Sequence, residues 1–142
     1  IAGRNTNDFQ AKLEEFARKN NFLKDVNFLG ERRDVPELLR GFDLFVFPSL
    51  TEGLGISLLE AMYMGLPVVA SNTEGILEIV DDERNGILAP PGNAEVLAEK
   101  IIMLMENKYK MQLTGDSARK HVEKLFSPKG YIAQLEEAYS TL

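Results

Sequence analysis

The chain contains no cysteine. That excludes a disulfide framework and a thiolate metal site, and it favours a reducing compartment. Positive charge is scarce: 16 Lys and Arg stand against 22 Asp and Glu, a formal net charge of −6. A general nucleic-acid binder needs a basic face for the phosphate backbone, so that class is set aside. An anionic ligand must instead be held by local positive potential, not by the field of the whole molecule. No apolar run is long enough to span a bilayer. The start, where Ile1, Ala2 and Gly3 pass at once into polar residues, does not read as a secretory leader. That start reads as the tail of a buried strand whose beginning is missing. Repeats, low-complexity tracts and linkers are lacking too. The expected location is cytoplasmic.

What is present is ordinary globular material. At 142 residues the chain is long enough for one domain with a real core. Hydrophobic residues make up 44% and charged residues 27%, a balance that opposes disorder. Short apolar runs alternate with helical patterns. Asn5 and Asp8 have capping-box spacing, and Phe9, Leu13, Phe16 and Ala17 recur on one helix face. Val26–Leu29 reads as a strand ending at Gly30. Asp34 is placed to cap a helix with Pro36 in its first turn, running to about Arg40. Leu44–Phe47 is apolar on both faces, as a central parallel strand should be. Ser57–Met64 is helical, and Gly65 stands at the left-handed position after it. Strands follow at Val68–Ala70 and Gly86–Leu88. Asn93 caps a long helix to Met105, with Ala94, Leu97, Ala98, Ile101, Ile102 and Met105 on its expected buried face. Helix continues from there, and Ser127-Pro128 restarts a last one whose Tyr131, Leu135 and Tyr139 share an apolar face. Met62, Met64, Met103 and Met105 read as core filler. The pattern is an α/β fold with a Rossmann-like, doubly wound, mostly parallel sheet. In such sheets ligands bind beyond the carboxyl ends of the strands.

Beyond the strand ending at Phe47 the chain reads Pro48-Ser49-Leu50-Thr51-Glu52-Gly53-Leu54-Gly55-Ile56-Ser57-Leu58-Leu59-Glu60. Two glycines flank one residue and lead into a helix. They let a ligand approach the backbone closely. First-turn amides of the helix, at Ile56 and Ser57, lack internal partners and form an anion site suited to a phosphate. Glu60 shares a face with that helix start, and helical side chains lean toward the N-terminus. Its carboxylate can reach back to accept hydrogen bonds from neighbouring hydroxyls such as those of a ribose. Glu52 lies past the phosphates, where a sugar ring would sit. Taken singly, Glu52 is an ordinary loop charge, Glu60 an ordinary helix charge, and Gly-x-Gly a weak signal.

The combination is more specific. Glu52-x7-Glu60 resembles the signature of family 4 glycosyltransferases, the group 1 type with the GT-B fold. So do Asp34-Val35-Pro36-Glu37-Leu38-Leu39, Asp43–Ser49, Glu60–Ala70, Gly75–Val80 and Asn85–Asn93, in order along residues 1–142. The resemblance implies a retaining, metal-independent hexosyltransferase of polysaccharide or glycolipid biosynthesis. It uses a nucleotide-diphosphate sugar as donor and needs no cofactor. It further implies that Glu52, the candidate catalytic residue, bonds donor-sugar hydroxyls. The amides of Gly53, Leu54 and Gly55 then hold the sugar, those of Ile56 and Ser57 meet the diphosphate, and Glu60 takes the ribose. The turn Gly30-Glu31-Arg32 would lie near the base.

This sequence departs from the family at Leu54, commonly Phe, and at Glu74, commonly Gly. On this reading residues 1–142 are the donor-binding C-terminal domain. Its first strand, with an Arg-Lys pair for the diphosphate, and the whole N-terminal acceptor domain would be absent. Peripheral docking on a membrane would then belong to that other half. Arg4, Arg33 and the only histidine, His121, read as solvated surface groups. The competing readings are a non-catalytic nucleotide-sugar-binding module and a different GT-B enzyme, such as a sugar-nucleotide epimerase or a phosphorylase.

Overall fold

A computed structural model describes residues 1 and 9–126. The strand tail at Ala2, Arg4, the Asn5–Asp8 cap and the helix expected from Ser127 lie outside the described residues. The chain divides into two compact units, Ile1–Glu37 and Leu38–Leu142.

In the first unit, α1 (Phe9–Lys19) ends near Asn21, which takes the left-handed conformation at φ 62°. Of its expected face Ala17 is buried, whereas Phe9 and Phe16 are exposed. Phe16 meets Phe22 edge to face, with centroids 5.9 Å apart. A single 3-10 turn, Leu23–Asp25, follows. Val26–Leu29 follows, hydrogen-bonded to the start of the chain: the Ile1 amino group donates to the Asn27 carbonyl, and the Leu29 amide to the Ile1 carbonyl, both at 2.8 Å. Helix α2 (Val35–Arg40) starts where expected and runs across the boundary between the units.

The second unit holds β1 (Phe45–Phe47), α3 (Ile56–Tyr63), β2 (Val68–Ser71), α4 (Glu74–Leu77), β3 (Ile87–Ala89), α5 (Ala94–Met105) and α6 (Lys108–Leu125). The strands form one parallel sheet in the order β1-β2-β3, with Val46 opposite Val69 and Ala70 opposite Leu88. Successive residues of a strand face opposite sides of the sheet. All four residues of β2 are buried, so both faces there are covered. The doubly covered α/β arrangement is therefore as the apolar runs predict. The most buried strand is not. Leu44–Phe47 is only half-buried, and β1 lies at the edge of the described sheet, where one ladder partner shields it.

Val69, Ile87 and Leu104 form the buried centre, with Leu44, Leu97, Ile101 and Met111 packed around it. Full burial of each such side chain stabilises by about 1.5–3 kcal/mol. Asn93 caps α5 as expected, its side-chain oxygen accepting from the Val96 amide at 3.1 Å. The buried stripe of α5 runs through Leu97, Ile101 and Leu104, so the expected face is rotated. Ala94, Ala98, Ile102 and Met105 are exposed. Of the four methionines expected as core filler only Met62 is fully buried, and Met103 and Met105 are on the surface. Gly65 has the expected left-handed φ of 78°. Behind it α6 comes so close that a Cβ on Gly115 would stand 2.2 Å from the Gly65 carbonyl oxygen.

Candidate functional site

The loop after β1 turns into α3 at the carboxyl end of the sheet. Ser49 donates its hydroxyl to the Thr51 carbonyl at 2.8 Å, tightening the loop's first turn. Gly55 occupies the N-cap of α3 in the left-handed conformation, φ 44° and ψ 52°. That backbone conformation strains any residue with a Cβ. Its carbonyl accepts from Leu58 and Leu59 at 2.9 and 3.0 Å. Among the described residues the amides of Ile56 and Ser57 have no acceptor. Helices α5 and α6 differ, because Asn93 and Asn107 fill their first turns with side-chain oxygens. A glycine cap leaves the start of α3 open, with two amides and the positive end of the helix dipole directed outward.

One glutamate precedes this helix start in the chain and one follows it. Glu60 lies one turn along α3 from Ile56 and Ser57, and it is exposed. Glu52 is half-buried and accepts from the Gly53 amide at 3.2 Å. Glu52, Gly53, Leu54, Gly55, Ile56, Ser57 and Glu60 thus lie on one loop and the first turns of α3. Gly30, Glu31 and Arg32 belong to the first unit. Gly30 has the left-handed φ of 63°. The Arg32 guanidinium is bound to Asp34, its Nε donating to Oδ1 at 2.8 Å. That hydrogen bond holds the Asp34 carboxyl below the usual carboxylate range. Asp34 is therefore engaged by Arg32 ahead of α2.

Sequence reasoning missed the support beneath the loop. It is α4, the short helix after β2. A Cβ on Gly75 would lie 2.1 Å from the Gly53 carbonyl oxygen and 2.5 Å from that of Glu52. The backbones of the two segments therefore touch. A Cβ on Gly55 would stand 2.9 Å from Cδ1 of Ile76. One turn of α4 thus supports both loop glycines. The available signal was a glycine placed just beyond a strand end, which often marks close backbone approach.

His121 is not the solvated group expected. Its ring is half-buried, and Nε2 is buried without a hydrogen-bond partner among the described residues. Burial lowers its pKa from the ordinary value of 6.5. A groove of about 530 Å³ lies away from the site, at the amino ends of β1 and β2. Phe42, Asp43, Leu66, Pro67 and Met105 line it, and it contains none of the expected site residues.

Residues 1–121 match the family model described as glycosyl transferases group 1. The chain belongs to that family. This group 1 chain is 38% identical, over 84% of its length, to an N,N'-diacetylbacillosaminyl-diphospho-undecaprenol alpha-1,3-N-acetylgalactosaminyltransferase of Campylobacter jejuni, covering 31% of that protein. It is 37% identical to the putative glycosyltransferase EpsF of Bacillus subtilis, over 87% of this chain and 30% of that one. Among solved structures it resembles Anabaena HepE in complex with UDP and glucose, with a TM-score of 0.88 and 30% identity. That match covers 99% of this chain and 40% of HepE. This group 1 sequence thus spans about a third of the curated relatives it matches. Among the described residues no helix is long and apolar enough to cross a membrane.

Proposed function

We propose that this chain is the C-terminal, donor-binding part of a retaining GT-B glycosyltransferase, and that an N-terminal domain of the whole enzyme holds the acceptor. The observation that carries the reading is the open start of α3, where the Ile56 and Ser57 amides lack acceptors between two glutamates. Those amides take the diphosphate, which lets an acidic chain bind an anion. Glu60 takes the ribose hydroxyls. Glu52 and the amides of Gly53, Leu54 and Gly55 hold the sugar. HepE has been solved with UDP and with UDP-glucose, which supports a uridine donor. The C. jejuni relative carries a diphospho-undecaprenol acceptor in its name. That supports a lipid-linked acceptor for the whole enzyme, reached from the cytoplasmic side by peripheral membrane docking.

The chemistry follows from this placement. The bond from the anomeric carbon to the diphosphate breaks, leaving an oxocarbenium-like sugar. The acceptor hydroxyl attacks the same face, and its proton passes to an oxygen of the departing diphosphate. The protein stabilises negative charge on that leaving group with the α3 amides and fixes the sugar's orientation. Glu52 acts as a hydrogen-bond acceptor and is assigned no nucleophilic role, because no second carboxylate is assigned at the ~5 Å spacing of retaining glycosidases. No resident metal or cofactor is assigned.

Calorimetric titration with UDP-, GDP- and ADP-sugars tests the site. One nucleotide class should bind, and Glu60→Ala should weaken it about 10-fold or more, as for loss of hydrogen bonds to a charged group. Equal affinity in the variant removes Glu60 from the site. No binding to this chain or to the whole enzyme overturns the donor-site reading.

A further inference from the structure

The contact that supports the site loop also brings an unassigned charged residue to it. Gly75 touches the backbone of Glu52 and Gly53, and Ile76 packs beneath Gly55. Those two residues are buried, and they form the inner side of α4. Glu74 is their immediate neighbour, the first residue of α4, and it is exposed. Consecutive Cα atoms are about 3.8 Å apart, so Glu74 stands within one residue of the Glu52–Gly53 backbone. Its carboxylate has no hydrogen bond or ion pair among the described residues. At the same turn Thr73 is only 9% exposed, and its hydroxyl has no partner there either. A buried, unsatisfied hydroxyl at a strand's carboxyl end marks a place where a ligand or water is expected.

We propose that Glu74 is a specificity-determining residue of the donor-sugar subsite, selecting neutral sugars rich in hydroxyl or amide N–H donors and rejecting uronic-acid donors. This rests on the donor-site reading above. Ionised carboxylates accept hydrogen bonds and cannot donate them. With Glu52 at the Gly53–Gly75 contact and Glu74 one residue from it, a sugar held there must bring the donors. A hexose or N-acetylhexosamine does so. A sugar carrying its own carboxylate meets two like charges, and such repulsion is how a site discriminates against a wrong ligand.

The test is calorimetric binding of UDP, UDP-glucose, UDP-N-acetylglucosamine and UDP-glucuronate to this chain and to its Glu74→Gln variant. Glutamine keeps the size and removes the charge. Thermal melting within about 1 °C of the unsubstituted chain establishes that the variant is folded. UDP affinity should stay within about twofold. The neutral UDP-sugars should weaken about three- to tenfold, as for loss of one or two charge-assisted hydrogen bonds at an exposed site. UDP-glucuronate should tighten by about threefold or more as the repulsion is relieved. If all four ligands change in the same proportion, or none changes, the inference about Glu74 is overturned while the donor site stands. If UDP binds neither the unsubstituted chain nor the whole enzyme, the uridine-donor reading falls and this inference falls with it.

Discussion

Gly75→Ala is the sharpest test of how the site loop is held. The new methyl group would lie 2.1 Å from the Gly53 carbonyl oxygen and 2.5 Å from that of Glu52. Ordinary contact begins near 3.4 Å, so the two segments must separate by about 1.3 Å. Both neighbours are backbone, and neither can rotate away as a side-chain tip could. Overpacking of this kind costs about 1–3 kcal/mol. Reduced freedom of the unfolded chain returns about 0.4–1 kcal/mol of that. The net loss is up to about 2.5 kcal/mol, or roughly up to 8 °C in Tm for a domain of this size. The effect extends to the ligand. Displacing positioning groups by about 1 Å can cost on the order of 100-fold in rate, and donor binding, which needs the same backbone groups in place, should weaken as well. Gly53→Ala is the stability control, because its Cβ meets nothing within 4 Å. It should change stability by less than about 0.5 kcal/mol. Thermal unfolding of both variants, followed by nucleotide-sugar titration at a temperature where both are folded, makes the comparison. A Gly75→Ala variant that melts and binds like the unsubstituted chain would refute the claim that α4 holds the loop.

Leu104→Ala removes a side chain that is 0% exposed at the centre of the Val69–Ile87 cluster. It should lose about 2–5 kcal/mol in urea unfolding, and a loss below about 1 kcal/mol would mean that the site collapses around the gap. His121 gives a pH signature. Burial lowers its folded-state pKa; nearby Asp81 raises it, while Lys124 and Arg84 lower it. The unfolded chain therefore takes up the proton first as pH falls. Stability linked to this residue is present above about pH 6.5 and declines as pH drops from there through the folded pKa. Thermal melts between about pH 7.5 and 5.5 should show that decline, and His121→Gln should flatten it; equal slopes would exclude the linkage.

Much of the local structure was written in the sequence. Leu44–Phe47, Val68–Ala70 and Gly86–Leu88 are short apolar runs bounded by turn residues, and each holds a strand within a residue or two. Asn93 and Gly65 signalled helix ends through the chemistry of single positions, a side-chain acceptor and a left-handed backbone. That Glu52, Gly55, Ile56, Ser57 and Glu60 share one loop and one helix start was equally legible, because they follow one another closely in the chain. These are all local facts, set by residues within a few positions of one another. Only the tertiary structure decided which strand is buried on both faces, since that depends on what lies to either side of it. The same holds for the face of α5 that turns inward, where an apolar surface wider than one stripe left Ile102 and Met105 exposed. It also decided that His121 is partly withdrawn from water. Above all, it brought Gly75 against Gly53 and Ile76 under Gly55. Those residues are far apart in the chain and meet only because β2 lies beside β1 in parallel, which delivers both following loops to the same end of the sheet.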